Sequence, residues 1–96
     1  GYNVYPRDVE EVLLRHPAVG QVAVIGLPDP QYGEEVVACV VRDPAGGEVT
    51  EQDVIAWSKE QLAAYKYPRR VLFVDALPLG PSGKVLKREL VAQYKD

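Results

Sequence analysis

The residues with the clearest capacity for chemistry lie near the C-terminus, in Pro78-Leu79-Gly80-Pro81-Ser82-Gly83-Lys84 and the following Val85-Leu86-Lys87-Arg88-Glu89-Leu90. A lysine directly behind a glycine-containing loop can present its ammonium to a phosphate or carboxylate, with backbone N–H groups beside it. The spacing is not that of a Walker A loop, which needs four residues between its glycines and a Ser or Thr after the lysine. Here two residues separate Gly80 from Gly83, and Val85 follows Lys84. On residue types alone, an ordinary turn glycine beside a surface lysine accounts for Gly83 and Lys84 as well.

A second candidate is Tyr65-Lys66-Tyr67-Pro68-Arg69-Arg70. An aromatic ring followed by bases can stack on adenine and pair with phosphates. The same residues also serve as punctuation at the end of a helix. Other reactive types read as structural. His16, before Pro17 at a helix end, is placed to meet the helix's last carbonyls rather than to act as a base. Cys39 lies in the apolar run Val36 to Val41 and reads as a small core residue. Trp57 reads as a core anchor. No metal-ligand spacing occurs, and one cysteine permits no disulfide within the chain.

Bulk properties narrow the classes. The 96 residues suit one modest core, and the net charge is −3. Residues 1–60 hold four basic and eleven acidic side chains, whereas residues 61–96 hold seven basic and three acidic. The basic C-terminal third is suited to a polyanion such as a nucleotide, or it is simply a solvated mixed surface. An acidic chain overall argues against nucleic acid as partner. The chain begins at Gly1 and has no Met, so a longer parent is expected. No signal peptide and no apolar run of about 18 residues occurs, so a cytoplasmic, reducing setting is the expectation.

The elements that must position these residues follow from periodicity. Tyr2 to Tyr5 is extended, and Pro6 suits the first position of a helix. Asp8, Glu10 and Glu11 fall in its early turns, Val9, Val12 and Leu13 form its apolar face, and Pro17 ends it. Val19 to Gly26 predicts a buried strand, Leu27 to Gly33 a loop and Val36 to Val41 a second strand. Their short link makes them antiparallel. After a turn over Asp43 to Gly47, Thr50 with Asp53 opens a second helix like a capping box, with Val54, Ile55, Trp57 and Leu62 on its buried side. Tyr65 to Pro68 breaks it. Val71 to Val74 is a short strand, Leu77 to Gly83 a Pro/Gly loop, and Val85 to Tyr94 a last helix with Leu86, Leu90 and Val91 on one face. The order α-β-β-α-β-α predicts an α+β domain with a small three-stranded mixed sheet flanked by helices.

With these elements in place, several stretches resemble one family. Pro78 to Leu90 is similar to the C-terminal signature of the adenylate-forming superfamily, roughly P-x-x-x-x-G-K-x-x-[KR]-x-x-L. That superfamily comprises acyl-CoA synthetases, luciferases and peptide-synthetase adenylation domains. Gly1 to Leu13 resembles the segment just after the family's interdomain hinge. His16-Pro17-Ala18-Val19, Gly26-Leu27-Pro28-Asp29 and Tyr32-Gly33-Glu34 match its wording too. The resemblance runs in order along essentially the whole chain.

It implies that residues 1–96 form a single C-terminal lid domain, whose large N-terminal adenylation domain lies outside this sequence. The implied activity is that of an AMP-forming acid–thiol ligase. A carboxylate first attacks the α-phosphate of ATP, giving an acyl-adenylate and pyrophosphate; the thiol of CoA then displaces AMP. ATP, Mg2+ and CoA are the implied cofactors of the whole enzyme, and the carboxylic acid and the N-terminal domain its partners. The lid rotates between the steps and offers a different face in each. Lys84 matches the family's catalytic lysine, with Ser82 and Gly83 in the adjoining loop. The thioester-forming face carries Gly1, whose missing side chain lets backbone approach the pantetheine arm, with Tyr32, Tyr65, Lys66 and Tyr67. Some relatives have arginine where this chain has Tyr67, which weakens phosphate binding at that position and leaves it to Lys66, Arg69 and Arg70. Asn3-Val4-Tyr5-Pro6 resembles fatty-acyl and related CoA ligases more than peptide-synthetase domains. The rival readings are an adenylation-domain lid that loads a carrier protein, and a non-catalytic α+β ligand-binding module. The fragment alone is expected to be inactive.

Overall fold

The computed structural model describes residues 5–31, 33–62 and 67–94. Helix α1 spans Pro6–Leu13 and opens without a side-chain cap. Pro6 needs no partner for a missing N–H, and Tyr5 C=O accepts the first bonds from Asp8 N–H (3.0 Å) and Val9 N–H (3.3 Å). Val9 and Leu13 are buried, and Val12 is half-buried beside them. The helix unwinds over Arg15 and His16 in shorter-range bonds before Pro17.

Strand β1 runs over Val19–Asp29 and β2 over Gly33–Arg42. They pair antiparallel with Ala23 opposite Cys39 and Asp29 opposite Gly33, and the register slips once between Val19 and Gln21. β1 therefore continues past Gly26 through residues expected to form a loop. Pro28 is tolerated because β1 is an edge strand, where a missing N–H need not break the ladder. The hairpin turns tightly, and Gly33 (φ 81°) takes up the left-handed conformation on re-entry.

Strand β3, Arg70–Phe73, joins the other edge of β2 in parallel. The order β1-β2-β3 makes the sheet mixed, as expected. A parallel neighbour requires a long crossover, here supplied by a 3₁₀ turn at Pro44–Gly46 and helix α2, Glu51–Gln61. Thr50 and Asp53 form a complete capping box: Thr50 Oγ1 accepts from Asp53 N–H (3.1 Å), and Asp53 Oδ2 accepts from Thr50 N–H (3.0 Å). The face that α2 turns to the core carries Val54, Ile55, Trp57 and Leu62 as expected, with Ser58 added to it. Val54 and Ser58 are fully buried, with Ser58 Oγ donating to Ile55 C=O at 2.8 Å. Trp57 packs against that core from a half-buried position, edge-on to His16 with ring centroids 5.1 Å apart. His16 also departs from expectation. Its Nδ1 accepts from Ala18 N–H (3.0 Å), tying the helix end to β1 instead of meeting helix carbonyls.

Helix α3 covers Lys87–Tyr94. The sheet thus has apolar layers on both faces. Val9, Leu13, Val24, Ala38, Val40, Val54 and Val71 pack on the α1/α2 side. Ala23, Ile25, Leu27, Val37, Cys39, Leu77 and Leu90 pack on the α3 side. Alternate residues of β1 and β2 supply the two layers, as the two-residue period requires. Burial pushes the Cys39 thiol up to about 11, against a smaller opposing pull from Arg70, so it stays protonated and inert.

The Asp53 carboxyl is held below its ordinary range, first by the Thr50 N–H and next by the Thr50 hydroxyl. A lowered folded pKa contributes stability that is complete above the unfolded value and is lost as pH falls through the folded one. Acid titration of stability should therefore show a loss below about pH 4 that Asp53→Asn lacks. Chemical denaturation across pH 2–7 measures it, and parallel profiles for the two proteins would contradict the assignment.

Candidate active-site loop

The loop that carries Lys84 leaves the sheet after β3 and returns as α3. Its two arms are held by buried Leu77 and Leu90. Between them Leu79 faces Val85 in an antiparallel bridge. Gly80 N–H donates to Lys84 C=O (2.8 Å), Gly83 N–H to Gly80 C=O (2.9 Å) and Leu86 N–H to Pro78 C=O (2.8 Å). This is a miniature hairpin with Pro81, Ser82 and Gly83 as its three-residue loop. Proline suits the first loop position, and Gly83 (φ 83°) supplies the left-handed residue that such loops need at the third.

Two expectations change. The last helix starts at Lys87, not Val85, because the left-handed turn at Gly83 folds Val85 back onto Leu79. Lys84 therefore sits on the return arm of a hairpin and not at a helix entrance. The N–H groups of Gly80, Gly83 and Leu86 are all occupied within the loop. These three amides are therefore not free to cradle a phosphate. The loop's anion-binding capacity resides in the Lys84 ammonium, whose side chain is exposed.

One contact was not foreseen. Glu10 of α1 places Oε2 2.8 Å from Lys87 Nζ and accepts there from Val24 N–H of β1, also at 2.8 Å. A single carboxylate oxygen thus joins the first helix, the first strand and the residue that closes the loop. The sequence signal was slender: an acidic residue in α1 facing the sheet side and a lysine where helix dipoles disfavour cations.

On the other candidate face, Gly1, Tyr32, Tyr65 and Lys66 lie outside the described residues. Tyr67 is half-buried between two cations. Its hydroxyl accepts from Arg69 Nη1 (2.8 Å), the Arg69 guanidinium lies 4.6 Å from the ring centre, and Lys59 Nζ lies 5.8 Å from it. Arg70 leans toward Glu35 at 3.8 Å. It also lines a hollow with Pro28, Asp29, Gly33 and Tyr94, beside the hairpin turn that bears Tyr32. Among the described residues, no hydrogen bond or ion pair joins this cluster to the Lys84 loop. The two groups flank β3: one leads into it and the other leaves it. No cluster of His, Cys, Asp or Glu among the described residues fits a metal ion such as Mg2+. No described helix is long and apolar enough to cross a membrane.

A hairpin that presents one lysine, on a three-stranded mixed sheet with helices on both faces, defines the class. The profile of the AMP-binding enzyme C-terminal domain matches residues 8–84, and the chain belongs to that family. Among its relatives is the long-chain-fatty-acid–CoA ligase FadD13 of Mycobacterium tuberculosis, 47% identical over 98% of this chain and 18% of its own length. Another is the 3-[(3aS,4S,7aS)-7a-methyl-1,5-dioxo-octahydro-1H-inden-4-yl]propanoyl:CoA ligase of Rhodococcus jostii, 50% identical over 99% of this chain and 18% of that enzyme. The crystal structure of ATP-bound MatB from Rhodopseudomonas palustris superposes with a TM-score of 0.93 at 44% identity, covering 100% of this chain and 19% of MatB. The chain thus spans less than a fifth of the length of these relatives.

Gly83 offers a structural test of the loop. A Cβ there would meet nothing within 4 Å, so the cost of a side chain is conformational alone. Gly83→Ala should lose about 1 kcal/mol in urea denaturation, and Gly83→Asn, which tolerates the left-handed region, should lose less. Equal stabilities for all three would show that the loop is not built on that turn.

Proposed function

We propose that this chain is the C-terminal lid domain of an AMP-forming acyl-CoA ligase and that Lys84 is its adenylating cation. The observation that carries the reading is a single exposed ammonium on a closed hairpin, at the lysine of the family's G-K signature. When a carboxylate oxygen attacks the α-phosphorus and pyrophosphate leaves, negative charge grows on the α-phosphoryl oxygens. A fixed cation stabilises that charge more in the transition state than in the ground state, provided water is excluded. Lysine suits the task as a compact charge on a long stem. The Gly80, Gly83 and Leu86 amides are engaged in closing the loop, so they serve to hold Lys84 in place.

For the second step the domain turns its other face. Tyr67 with Lys59 and Arg69, the Arg70 hollow, and Tyr32 are the parts that would receive CoA while its sulfur attacks the acyl carbon and AMP departs. Gly1, Tyr65 and Lys66 belong to the same proposed face. ATP, Mg2+ and the acyl group are held chiefly by the large N-terminal domain, which also sets acyl selectivity. The names of the relatives span a fatty acid and a bicyclic propanoate, which supports leaving the choice of acid to the large domain. CoA is the proposed acceptor because those relatives are CoA ligases.

The test uses the full-length parent with Lys84→Ala and a panel of carboxylic acids from short to long chain. ATP–pyrophosphate exchange reads the first step; thioester formation from synthetic acyl-adenylate and CoA reads the second. Adenylation should fall on the order of 10²–10³-fold while the second step stays near its original rate. Retention of both steps would leave Lys84 a surface lysine. A thiolated carrier protein as the sole productive acceptor would instead favour the carrier-loading reading. The isolated 96 residues, given ATP, the panel acids and CoA, should yield neither adenylate nor thioester. Detection of either product would refute the division of labour between the domains.

A further inference from the structure

From the geometry around Glu10 we infer that Glu10 and Lys87 form a positioning pair that holds the Lys84 hairpin in register with the body of the domain. The inference rests on the assignment of Lys84 proposed above. Three observations lead to it. Lys87 Nζ lies 2.8 Å from Glu10 Oε2, and the same oxygen accepts from Val24 N–H at 2.8 Å, so the carboxylate is itself fixed to the sheet. Lys87 is the first residue of α3 and directly follows Leu86, whose N–H makes the closing rung to Pro78 C=O. A cation in the first turn of a helix opposes the helix dipole, so helix formation does not explain a lysine there. The facing carboxylate does.

The pair is partly shielded, with side-chain exposures of 40% for Lys87 and 21% for Glu10. A half-exposed ion pair contributes little to global stability. Its effect on geometry is larger. Leu77 pins the departing arm by burial, while on the returning arm half-buried Val85 packs against the same core layer and the ion pair follows two residues later, before Leu90 is buried. Without the pair, that arm keeps only the partial burial of Val85 and Leu86 ahead of Leu90, and the Lys84 ammonium gains freedom. A displacement of about 1 Å at a reacting group can cost up to 10²-fold in rate. Neither residue touches substrate in this account; both act through Lys84.

The experiment is run on the full-length parent with Lys87→Gln, Glu10→Gln, Lys87→Arg and, as reference, Lys84→Ala. The acid is the one of the panel that the parent turns over fastest. Lys87→Gln should lower kcat for adenylation about tenfold, with KM for ATP and acid nearly unchanged and a melting temperature within about 2 °C of the parent. Glu10→Gln keeps an acceptor for Val24 N–H and should show a similar loss in rate. Lys87→Arg preserves the charge and should recover most of it. Thioester formation from supplied acyl-adenylate should be unaffected throughout. Full adenylation by Lys87→Gln, while Lys84→Ala is crippled, would overturn the positioning role and leave the Lys84 assignment intact. An equal loss in both half-reactions would also overturn it, since the pair would then support the fold generally. Full adenylation by Lys84→Ala would remove the assignment and this inference together.

Discussion

Strand β2 is enclosed on four sides, and the other elements take their places from that enclosure. Val37, Ala38, Cys39 and Val40 are all buried, so the strand has apolar layers above and below it. Its N–H and C=O groups have no water to turn to and must be paired along both edges. The antiparallel edge is cheap to provide, because β1 is connected to it by a tight hairpin. The parallel edge is not, because a crossover must span the sheet. That crossover is α2, which explains why the Thr50–Asp53 cap matters for a helix of modest length. Arg69 N–H to Val36 C=O and Val74 N–H to Val40 C=O extend the pairing beyond both ends of β3.

Covering the second face of the same strand creates the loop that carries Lys84. After β3 the chain must return across the sheet so that Leu90 can close over Cys39 and Ile25. Leu77 and Leu90 are fixed by burial, Val85 packs part-buried against the same layer, and the other residues at the tip have no core to enter. They satisfy their backbone groups on one another as a hairpin, leaving Leu79 60% exposed and Lys84 in water. A lysine hydrated in this way interacts weakly with a distant anion. The same charge in a water-poor cleft is several times more effective. On the proposed reading, the covering surface that excludes water belongs to the large domain.

How much of this was legible in the sequence depended on the range of the interaction concerned. The order of elements, the mixed sheet and the Thr50–Asp53 cap were legible because periodicity and capping act over a few residues. Gly83 was legible as a turn. The continuation of β1 through Pro28 was not, because proline marks a break unless the strand is known to lie at a sheet edge. The start of α3 was misplaced because Leu86, Leu90 and Val91 keep helical spacing, although the hairpin claims Val85 and Leu86 first. Ser58, not Trp57, fills the tightest place under α2, since a close approach of helix to sheet favours a small side chain whose hydroxyl can bond to its own helix. The contact between Glu10 and Lys87 joins opposite ends of the chain, and no local pattern announces it. For the candidate site, motif wording singled out Lys84 as the residue to test. The hairpin that carries it, with the Gly80, Gly83 and Leu86 amides engaged, follows from contacts that no local pattern announces.

The rigidity of the hairpin bears on how a lid could serve two steps. If the domain presents different faces in sequence, Lys84 must withdraw without losing the geometry to which it later returns. A loosely held loop would reorder in every cycle, with an entropic cost of roughly 1–2 kcal/mol for each backbone residue fixed. The loop here is closed by its own three hydrogen bonds and joined through Glu10 to α1 and β1. Motion imposed at α1 is thereby transmitted to the hairpin, and Lys84 travels with the domain as one body. On the proposed reading, an alternation of faces would then leave the Lys84 loop intact, and its conformational cost would fall on hinge residues rather than on that loop.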